Sequence, residues 1–269
     1  MTKHRARKRF GQNFLMDAGV IQRIVQHINP QLDDHLVEIG PGKGALTSLL
    51  ASCCRDFQVI EIDRDLVSLL QQQFTGADGT AGEMTIHEAD ALTVDFSVFA
   101  TTKPARIVGN LPYNISTPLI FHLLSFYDHI QDMYFMLQDE VVERLVAQPG
   151  DKRYGRLSVM VGYYCQADKL FEVPPDCFQP QPKVNSAIVR LTPHKPLPHV
   201  AIDPDHLKQL VNTVFQQRRK TLRNGLKPII NTRHSFSSAA PLPVDTRMRP
   251  ENLTVEDYVN LSNFLTRLA

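Results

Sequence analysis

The segment best equipped for chemistry is Asn110-Leu111-Pro112-Tyr113, which follows a run, 106–109, that predicts a buried strand ending in a turn. The exocyclic amino group of adenine is a poor nucleophile because its lone pair is conjugated into the ring. Two acceptors that bind its N–H groups would favour a reactive, pyramidal geometry. The Asn110 side chain can supply one acceptor, and Pro112 restrains Leu111 so that its carbonyl supplies the other. Tyr113 offers a ring for stacking, although the four residues alone are equally typical of an ordinary turn.

The segment 36–51 predicts a strand, a glycine loop and a helix. Leu36 and Val37 form the apolar strand, and Glu38-Ile39-Gly40-Pro41-Gly42-Lys43-Gly44 leads into a helix over 45–51. Such glycines let the backbone approach a ligand closely, and the start of the helix offers free N–H groups. The spacing is neither that of dinucleotide sites nor that of a phosphate loop, so the loop alone identifies no ligand.

The next two predicted strands end in carboxylates. The strand 57–60 ends in Glu61, about twenty residues beyond the glycine loop, where doubly wound folds place a carboxylate on ribose hydroxyls. Asp63 is better explained as the N-cap of the helix that follows. Asp90 comes after the strand 85–87. It can accept a hydrogen bond from a nucleobase amino group or cap the next turn, and the sequence favours neither role.

Length and charge distribution indicate an α/β protein with a polyanionic partner. A chain of 269 residues can hold one large α/β domain with a small appendage, or two modest domains. The net charge of +1 hides two basic regions. Residues 1–10 carry five basic side chains and no acid, and residues 195–233 carry eight basic and two acidic side chains. The rest of the chain is acidic overall, so the two basic regions stand out from it.

The four cysteines, Cys53, Cys54, Cys165 and Cys177, lack metal-ligand spacing, so we expect reduced thiols. No stretch reaches the roughly 18 apolar residues of a membrane span, and no apolar segment follows the amino-terminal charges. These features predict a cytoplasmic protein with no membrane partner.

The proline-rich segment 173–182 predicts a stiff surface arm, because proline fits neither a helix interior nor a central strand. Phe178 lies in this arm. It is either free to stack on a ligand or buried as the anchor of a plain loop, and burial preferences do not separate the two.

Apolar residues at helical spacing predict helical structure over 207–226, with a cluster of cations inside it: Arg218, Arg219, Lys220 and Arg223. Acidic residues at i,i+4 that would pair with these cations are missing from the sequence. This pattern favours phosphate contact over a merely solvated face.

Local rules predict three further features. Asp17 precedes apolar residues at helical spacing and is expected to cap a helix. Ser116 or Thr117 is expected to cap another helix, with Pro118 in its first turn. The segment 151–156 is expected to be an exposed basic loop.

Taken together, these motifs resemble the ribosomal RNA adenine N6-dimethyltransferases over nearly the whole chain. The resemblance is carried by Gln12-Asn13-Phe14-Leu15, Glu38-Ile39-Gly40-Pro41-Gly42-Lys43-Gly44, Glu61-Ile62-Asp63, Asp90, Asn110-Leu111-Pro112-Tyr113 and Phe178-Gln179-Pro180-Gln181-Pro182-Lys183-Val184. The segment 215–223 resembles the small-subunit branch of the family, linked to kasugamycin sensitivity, and resembles the macrolide-resistance methylases poorly.

That resemblance implies a class I methyltransferase fold: a Rossmann-like α/β domain with a mostly parallel seven-stranded sheet, its last strand antiparallel, and a small α-helical carboxyl-terminal domain. The expected boundaries are a basic arm over 1–16, a methyltransferase domain over 17–195 and an rRNA-docking domain over 196–269. The implied cofactor is S-adenosylmethionine, which leaves as S-adenosylhomocysteine, with no metal. The implied reaction places four methyl groups on N6 of two adjacent adenosines in the 3′-terminal hairpin loop of small-subunit (16S) rRNA. The implied partner is the immature 30S particle, and we expect a monomer.

Carried over residue by residue, the resemblance assigns the cofactor pocket to Gln12, Asn13, Leu15, Gly40, Glu61, Asp90 and Asn110. Leu111 contributes its carbonyl, and Tyr113 and Phe178 clamp the target base from two faces. The cluster at 218–223 docks the rRNA. Two alternatives are an adenine methylase that acts on large-subunit rRNA or on DNA, and an RNA-binding assembly factor of the same fold whose methylation is dispensable.

Overall fold

The computed structural model describes residues 12–74, 84–233 and 241–268, and their contacts group into two compact units. The first unit takes in residues 1–142 and 168–193, and the second takes in 143–167 and 194–269. The predicted domain boundaries after residues 16 and 195 stay predictions. Most of the predicted basic arm lies outside the described residues.

A seven-stranded sheet is the framework around which the first unit is built. Its strands lie in the order β4 (Met84–Glu88), β3 (Asp56–Glu61), β2 (His35–Ile39), β5 (Ala105–Asn110), β6 (Ile130–Gln138), β9 (Ser186–Pro193) and β7 (Cys165–Val173). Neighbours from β4 to β6 are parallel, and β9 is antiparallel to β6. The predicted mostly parallel sheet with an antiparallel last strand is confirmed.

Five helices accompany this sheet in the described residues: α1 (Ala18–Ile28), α2 (Thr47–Leu50), α3 (Arg64–Phe74), α4 (Ser116–Leu124) and α5 (Asp139–Leu145). A short antiparallel ribbon is formed by β1 (Phe14–Leu15) and β8 (Phe178–Gln179), so the proline-rich arm contains a two-residue strand. The predicted helix over 45–51 is helical only in α2, with turns on both sides.

The amino-terminal ends of α1 and α4 test the two predictions about helix capping. The Asp17 carboxylate accepts a hydrogen bond from the Val20 N–H at 2.7 Å and caps α1, as predicted. The predicted cap of α4 is wrong. Its N-cap position is Ile115, and Ser116 instead donates to the Tyr113 carbonyl at 3.2 Å.

The strand order reverses at β2, which lies between β3 and β5. Open α/β sheets bind ligands at the carboxyl ends of strands beside such a point. Gly109 brings β5 very close to β2, since a Cβ there would lie 2.6 Å from the Ile39 carbonyl oxygen. The glycine loop after β2 and the Asn110 segment after β5 therefore lie side by side.

At the opposite end of β5, Arg106 forms a buried polar network. Its side chain is bonded to Asp34 at 2.7 Å and to Asp132 at 2.8 Å. It also donates to the Ile28 carbonyl at 2.6 Å, at the carboxyl end of α1. Arg106 is only 5% exposed, so this charge is compensated almost entirely by protein groups.

The second unit is helical. Its helices are the carboxyl-terminal residues of α5, then α6 (Arg156–Tyr164), α7 (Pro204–Phe215), α8 (Leu222–Arg233) and α9 (Val255–Arg267). Two buried tyrosines hold its core: the Tyr154 hydroxyl donates to the Leu253 carbonyl at 2.9 Å, and the Tyr258 hydroxyl donates to the Pro250 carbonyl at 2.7 Å. The prediction that 151–156 is an exposed loop is wrong at Tyr154, which is buried with its ring packed on Phe215.

The four cysteines are free thiols. None of the helices in the described part of the chain is long and apolar enough to cross a membrane. Among the same residues, no cluster of His, Cys, Asp and Glu has the arrangement of a metal site.

Candidate active site

A cavity opens at the carboxyl ends of the central parallel strands of the first unit. It is lined by all seven predicted cofactor residues and by two further predicted catalytic residues: Gln12, Asn13, Leu15, Gly40, Glu61, Asp90, Asn110, Leu111 and Tyr113. Their roles stay predictions, but the fold brings them to one place from five separate segments of the chain. Parallel strand ends account for this convergence.

The glycine loop forms one wall of the cavity in a conformation that favours glycine. Gly40 and Gly42 have φ values of 66° and 60°. A Cβ on Gly42 would also lie 3.2 Å from the ring of Phe14, so this strand of the ribbon packs directly on the loop. At Gly40 the nearest atom to such a Cβ is the Asn110 carbonyl oxygen at 3.8 Å, so the bare backbone leaves room for a ligand there.

Glu61 is fixed in position by backbone N–H groups. Its Oε1 accepts from the Asp63 N–H at 2.9 Å, and its Oε2 accepts from the Gly42 N–H at 3.3 Å. Burial raises the pKa of this carboxyl, whose residue is 6% exposed. Each carboxylate oxygen keeps acceptor capacity for a hydroxyl donor in the cavity.

The hydrogen bonds of Asp63 and Asp90 support different roles for the two carboxylates. Asp63 accepts from the Asp65 N–H at 3.2 Å, the N-cap geometry expected for α3, and also accepts from the Gln12 side chain at 3.3 Å. Asp90 accepts from the Leu92 N–H at 2.9 Å and so caps a turn, yet it also lines the cavity. For Asp90 the two predicted roles are compatible.

The Asn110 amide is oriented by a backbone carbonyl. Its Nδ2 donates to the Asn13 carbonyl at 3.0 Å, which leaves Oδ1 as the acceptor. Leu111 follows, with its own N–H bonded to the Met136 carbonyl at 3.2 Å. Within the described residues nothing donates to Asn110 Oδ1 or to the Leu111 carbonyl. Both acceptors therefore keep hydrogen-bonding capacity at the cavity, where Leu111 is 1% exposed.

Tyr113 is held at its hydroxyl. The hydroxyl lies 2.8 Å from the Oγ of Ser186, which is fully buried on β9. Burial raises the pKa of the Tyr113 phenol, so it stays neutral at physiological pH. A ring tethered at one end is a defined surface on which a base can stack.

Phe178 does not line this cavity. It is 3% exposed, pairs with Leu15 through the ribbon and packs within a hydrophobic core. In this structure it is the buried anchor of the proline-rich arm, which is the alternative interpretation, and its part in a clamp with Tyr113 stays a prediction. The reason for its burial is the register of Phe178 opposite β1, a long-range pairing that composition does not reveal.

Sequence reasoning missed Glu38, which lines the cavity at the end of β2 and is 2% exposed. It accepts a hydrogen bond from the Thr47 hydroxyl at 2.7 Å, and burial raises its pKa to about 8. The available signal was an acidic residue joining an apolar strand to the glycine loop.

Replacing Glu38 with glutamine is expected to change the pH dependence of stability. The folded state holds the Glu38 proton up to about pH 8, whereas the unfolded state releases it near 4.5. Wild-type stability therefore falls as pH rises through this window, at about 1.4 kcal/mol per pKa unit of difference. Glu38→Gln should melt close to wild type at pH 5 and clearly higher at pH 9. Glu88→Gln, at an exposed position, is the control. An equal difference in melting temperature between Glu38→Gln and wild type at both pH values would contradict the raised pKa of Glu38.

The basic cluster of the second unit is not on a helix as predicted. Residues 216–221 form the turn between α7 and α8, and only Arg223 is helical. Arg218 has an acidic partner, Glu251 at 2.8 Å, and also donates to the Lys152 carbonyl. The interpretation that the four cations have no acidic partner is therefore wrong for Arg218. Arg219, Lys220 and Arg223 are exposed.

The mostly parallel seven-stranded sheet, the glycine loop after β2 and the acidic end of β3 define a class I methyltransferase. The family model for ribosomal RNA adenine dimethylase matches residues 3–267. A ribosomal RNA small subunit methyltransferase A from Saccharophagus degradans is 59% identical over 266 residues, 98% of this chain and 96% of that protein. The chain therefore belongs to the ribosomal RNA adenine dimethylase family and is a methyltransferase.

Two solved structures share the fold over almost the whole chain. A dimethyladenosine transferase from Plasmodium falciparum is 25% identical with a TM-score of 0.79, covering 95% of this chain and 98% of that one. The 23S rRNA methyltransferase ErmE is also 25% identical, with a TM-score of 0.70, covering 94% and 100%. Because a 23S rRNA methyltransferase shares this architecture while the sequence relative is a small-subunit methyltransferase, the fold alone does not select the substrate.

Proposed function

We propose that this enzyme transfers four methyl groups from S-adenosylmethionine to N6 of two adjacent adenosines in the 3′-terminal hairpin loop of small-subunit rRNA. It acts as a monomer on an immature small subunit, in the cytoplasm. The observation that carries the proposal is the pair of open acceptors, Asn110 Oδ1 and the Leu111 carbonyl, beside a cavity suited to a nucleoside. The 59% identity to a small-subunit methyltransferase favours that rRNA over the large-subunit alternative.

The cavity fits this donor by the chemistry of its walls. Glu61 offers two fixed oxygens for the ribose hydroxyls, and Asp90 offers an acceptor for the adenine amino group. The glycine loop leaves space beside Asn110 for the methionine part. When bound, the donor supplies a methyl group already activated on a sulfonium, so the protein has to align the reactants more than move protons.

The chain's own groups perform that alignment. Asn110 and Leu111 accept the two N–H groups of the target adenine and hold N6 towards the cavity. Tyr113 stacks on the unpaired base, which is easiest to unstack in a single-stranded loop. Correct placement of two reactants supplies roughly 7–11 kcal/mol of the barrier in favourable cases.

Replacing Glu61 with alanine is expected to weaken donor binding by ~1–3 kcal/mol, the scale of hydrogen bonds to a charged acceptor. Calorimetric titration with S-adenosylmethionine measures this loss. Glu88 is a matched control, because it pairs with Glu61 in register on β4 but lies exposed beside Arg64. Equal affinities for the Glu61→Ala and Glu88→Ala variants would remove Glu61 from the site.

Phosphate binding by the basic cluster is expected to show in the salt dependence of subunit binding. Removing one cation that binds a phosphate should reduce the slope of log affinity against log salt by about 0.7–0.9. An Arg219→Ala, Arg223→Ala double variant should bind small subunits more weakly, with a shallower slope and an unchanged single-turnover rate at saturation. A Lys208→Ala, Arg267→Ala variant removes the same charge from exposed positions of the second unit outside the cluster. Identical slopes for the two variants would contradict docking by the cluster.

An RNA-binding assembly factor that does not need turnover is the other class of function. The alignment of Asn110, Leu111 and Tyr113 at the cavity argues against it, because such a factor has no need for acceptors aimed at an amino group. Incubating the enzyme with the donor and undermethylated subunits distinguishes the two by product formation.

A further inference from the structure

Glu38 is a buried acid that has no cationic partner among the described residues. In register it lies beside Val59 on β3 and Val108 on β5, both fully buried apolar side chains. Within the same part of the chain, the only donor to its carboxyl is the Thr47 hydroxyl, at 2.7 Å. Burying an ionised carboxyl in such surroundings is costly unless a cation or several hydrogen bonds compensate it.

The charged groups around Glu38 make the cavity an anionic site. Glu61 at the end of β3 and Asp90 after β4 share the cavity wall with Glu38, and Asp63 stands next to Glu61. Among the described residues that line the cavity, the only cationic side chain is Lys43, which is exposed and lies 4.5 Å from the centre of the Phe14 ring. Burial favours the neutral forms of Glu38 and Glu61 when the cavity holds no cation, and nearby negative charge adds to it, from Glu61 at Glu38 and from Asp63 at Glu61.

The charge of the ligand changes during the proposed reaction, on which this inference rests. S-adenosylmethionine carries a positive sulfonium and an ammonium against one carboxylate, whereas S-adenosylhomocysteine has a neutral thioether in place of the sulfonium. A carboxylate near the ligand therefore stabilises the donor more than the product. Glycine-loop N–H groups and ribose acceptors bind both ligands alike and do not provide this distinction.

We propose that Glu38 is a specificity-determining residue that loses its proton to solvent when the cationic donor binds, so that the enzyme prefers S-adenosylmethionine to S-adenosylhomocysteine. The step balances as one carboxylic acid giving one carboxylate and one released proton. After methyl transfer the carboxylate loses its cationic partner and takes a proton back. This uptake weakens the hold on the product and favours its release.

Calorimetry measures the proton directly. Titrating the intact enzyme at pH 7 in two buffers with different ionisation enthalpies gives the number of protons released per ligand bound. Wild type is expected to release close to one more proton with S-adenosylmethionine than Glu38→Gln does, because linkage ties the binding of a cation to deprotonation of its partner. Subtracting the variant removes any proton exchanged by the ligand's own amino group. Glu88→Gln, an exposed change of the same kind, should match wild type.

Affinities give the second readout. Glu38→Gln should weaken S-adenosylmethionine binding by at least about tenfold and change S-adenosylhomocysteine binding only a few-fold, since only the donor carries the extra charge. An unchanged ratio of the two affinities, with proton release equal to wild type, would overturn the role of Glu38. If wild type bound neither ligand, the proposed donor itself would be wrong, which is a distinct result. Should the variant fail to fold, equal proton counts for the two ligands in wild type would overturn the inference.

Discussion

Replacing Asn110 with alanine is expected to lower kcat by at least ~100-fold, the usual loss when one preorganised polar contact to a transition state is removed. The physical reason is that the Asn110 amide is held by the Asn13 carbonyl with its oxygen left to accept from the target amino group. Affinity for the donor and for the small subunit should change little, because both ligands make most of their contacts elsewhere. Single-turnover rates with separate binding titrations measure the two effects.

Asn114 provides the matched control for this prediction. It lies four residues further on and lines the same cavity, but it is exposed and makes no side-chain hydrogen bond within the described residues. Asn114→Ala should therefore keep kcat within a few-fold of wild type. A kcat for Asn110→Ala within the same range would mean that the segment is an ordinary turn with no part in the chemistry.

Replacing Arg106 with methionine is expected to lower the free energy of unfolding by ~3–5 kcal/mol, the range for breaking a buried ion pair by removing one partner. Asp34 and Asp132 would be left without their cation, and the carboxyl end of α1 would lose its bond at Ile28. The chain has no tryptophan, so urea unfolding is best followed by circular dichroism. The midpoint should fall with little change in slope.

Lys103→Met is the control for Arg106, because Lys103 pairs with Asp33 at the surface and should contribute little. A triple variant, Arg106→Met with Asp34→Asn and Asp132→Asn, should recover part of the loss by removing the two uncompensated charges. If Arg106→Met lost no more stability than Lys103→Met, the buried network would contribute no more to the free energy of unfolding than a surface ion pair.

Features that depend on neighbours in sequence were predictable. Apolar spacing after Asp17 identified α1, and its cap was correct because capping needs only a residue three positions away. The strand ends at Glu61 and Asn110 were found from short apolar runs followed by polar residues. Their convergence on one cavity followed from the rule for parallel sheets, not from any pattern within either segment.

Features that depend on contacts between distant segments were not predictable. Glu251 neutralises Arg218 from 33 residues away, which no i,i+4 rule detects. Phe178 is buried because its strand pairs with β1, more than 160 residues earlier in the chain. Glu38 was passed over because its significance lies in burial beside Val59 and Val108, and burial is a property of the folded sheet.

The most direct test of the account is incubation of the enzyme with labelled S-adenosylmethionine and undermethylated small subunits, followed by mass analysis of the rRNA nucleosides and mapping of the label. We predict N6,N6-dimethyladenosine at two adjacent positions of the 3′-terminal hairpin loop, with four methyl groups per subunit. Undermethylated large subunits serve as the parallel substrate. Label confined to large-subunit rRNA, or donor binding without any adenine methylation, would contradict the account.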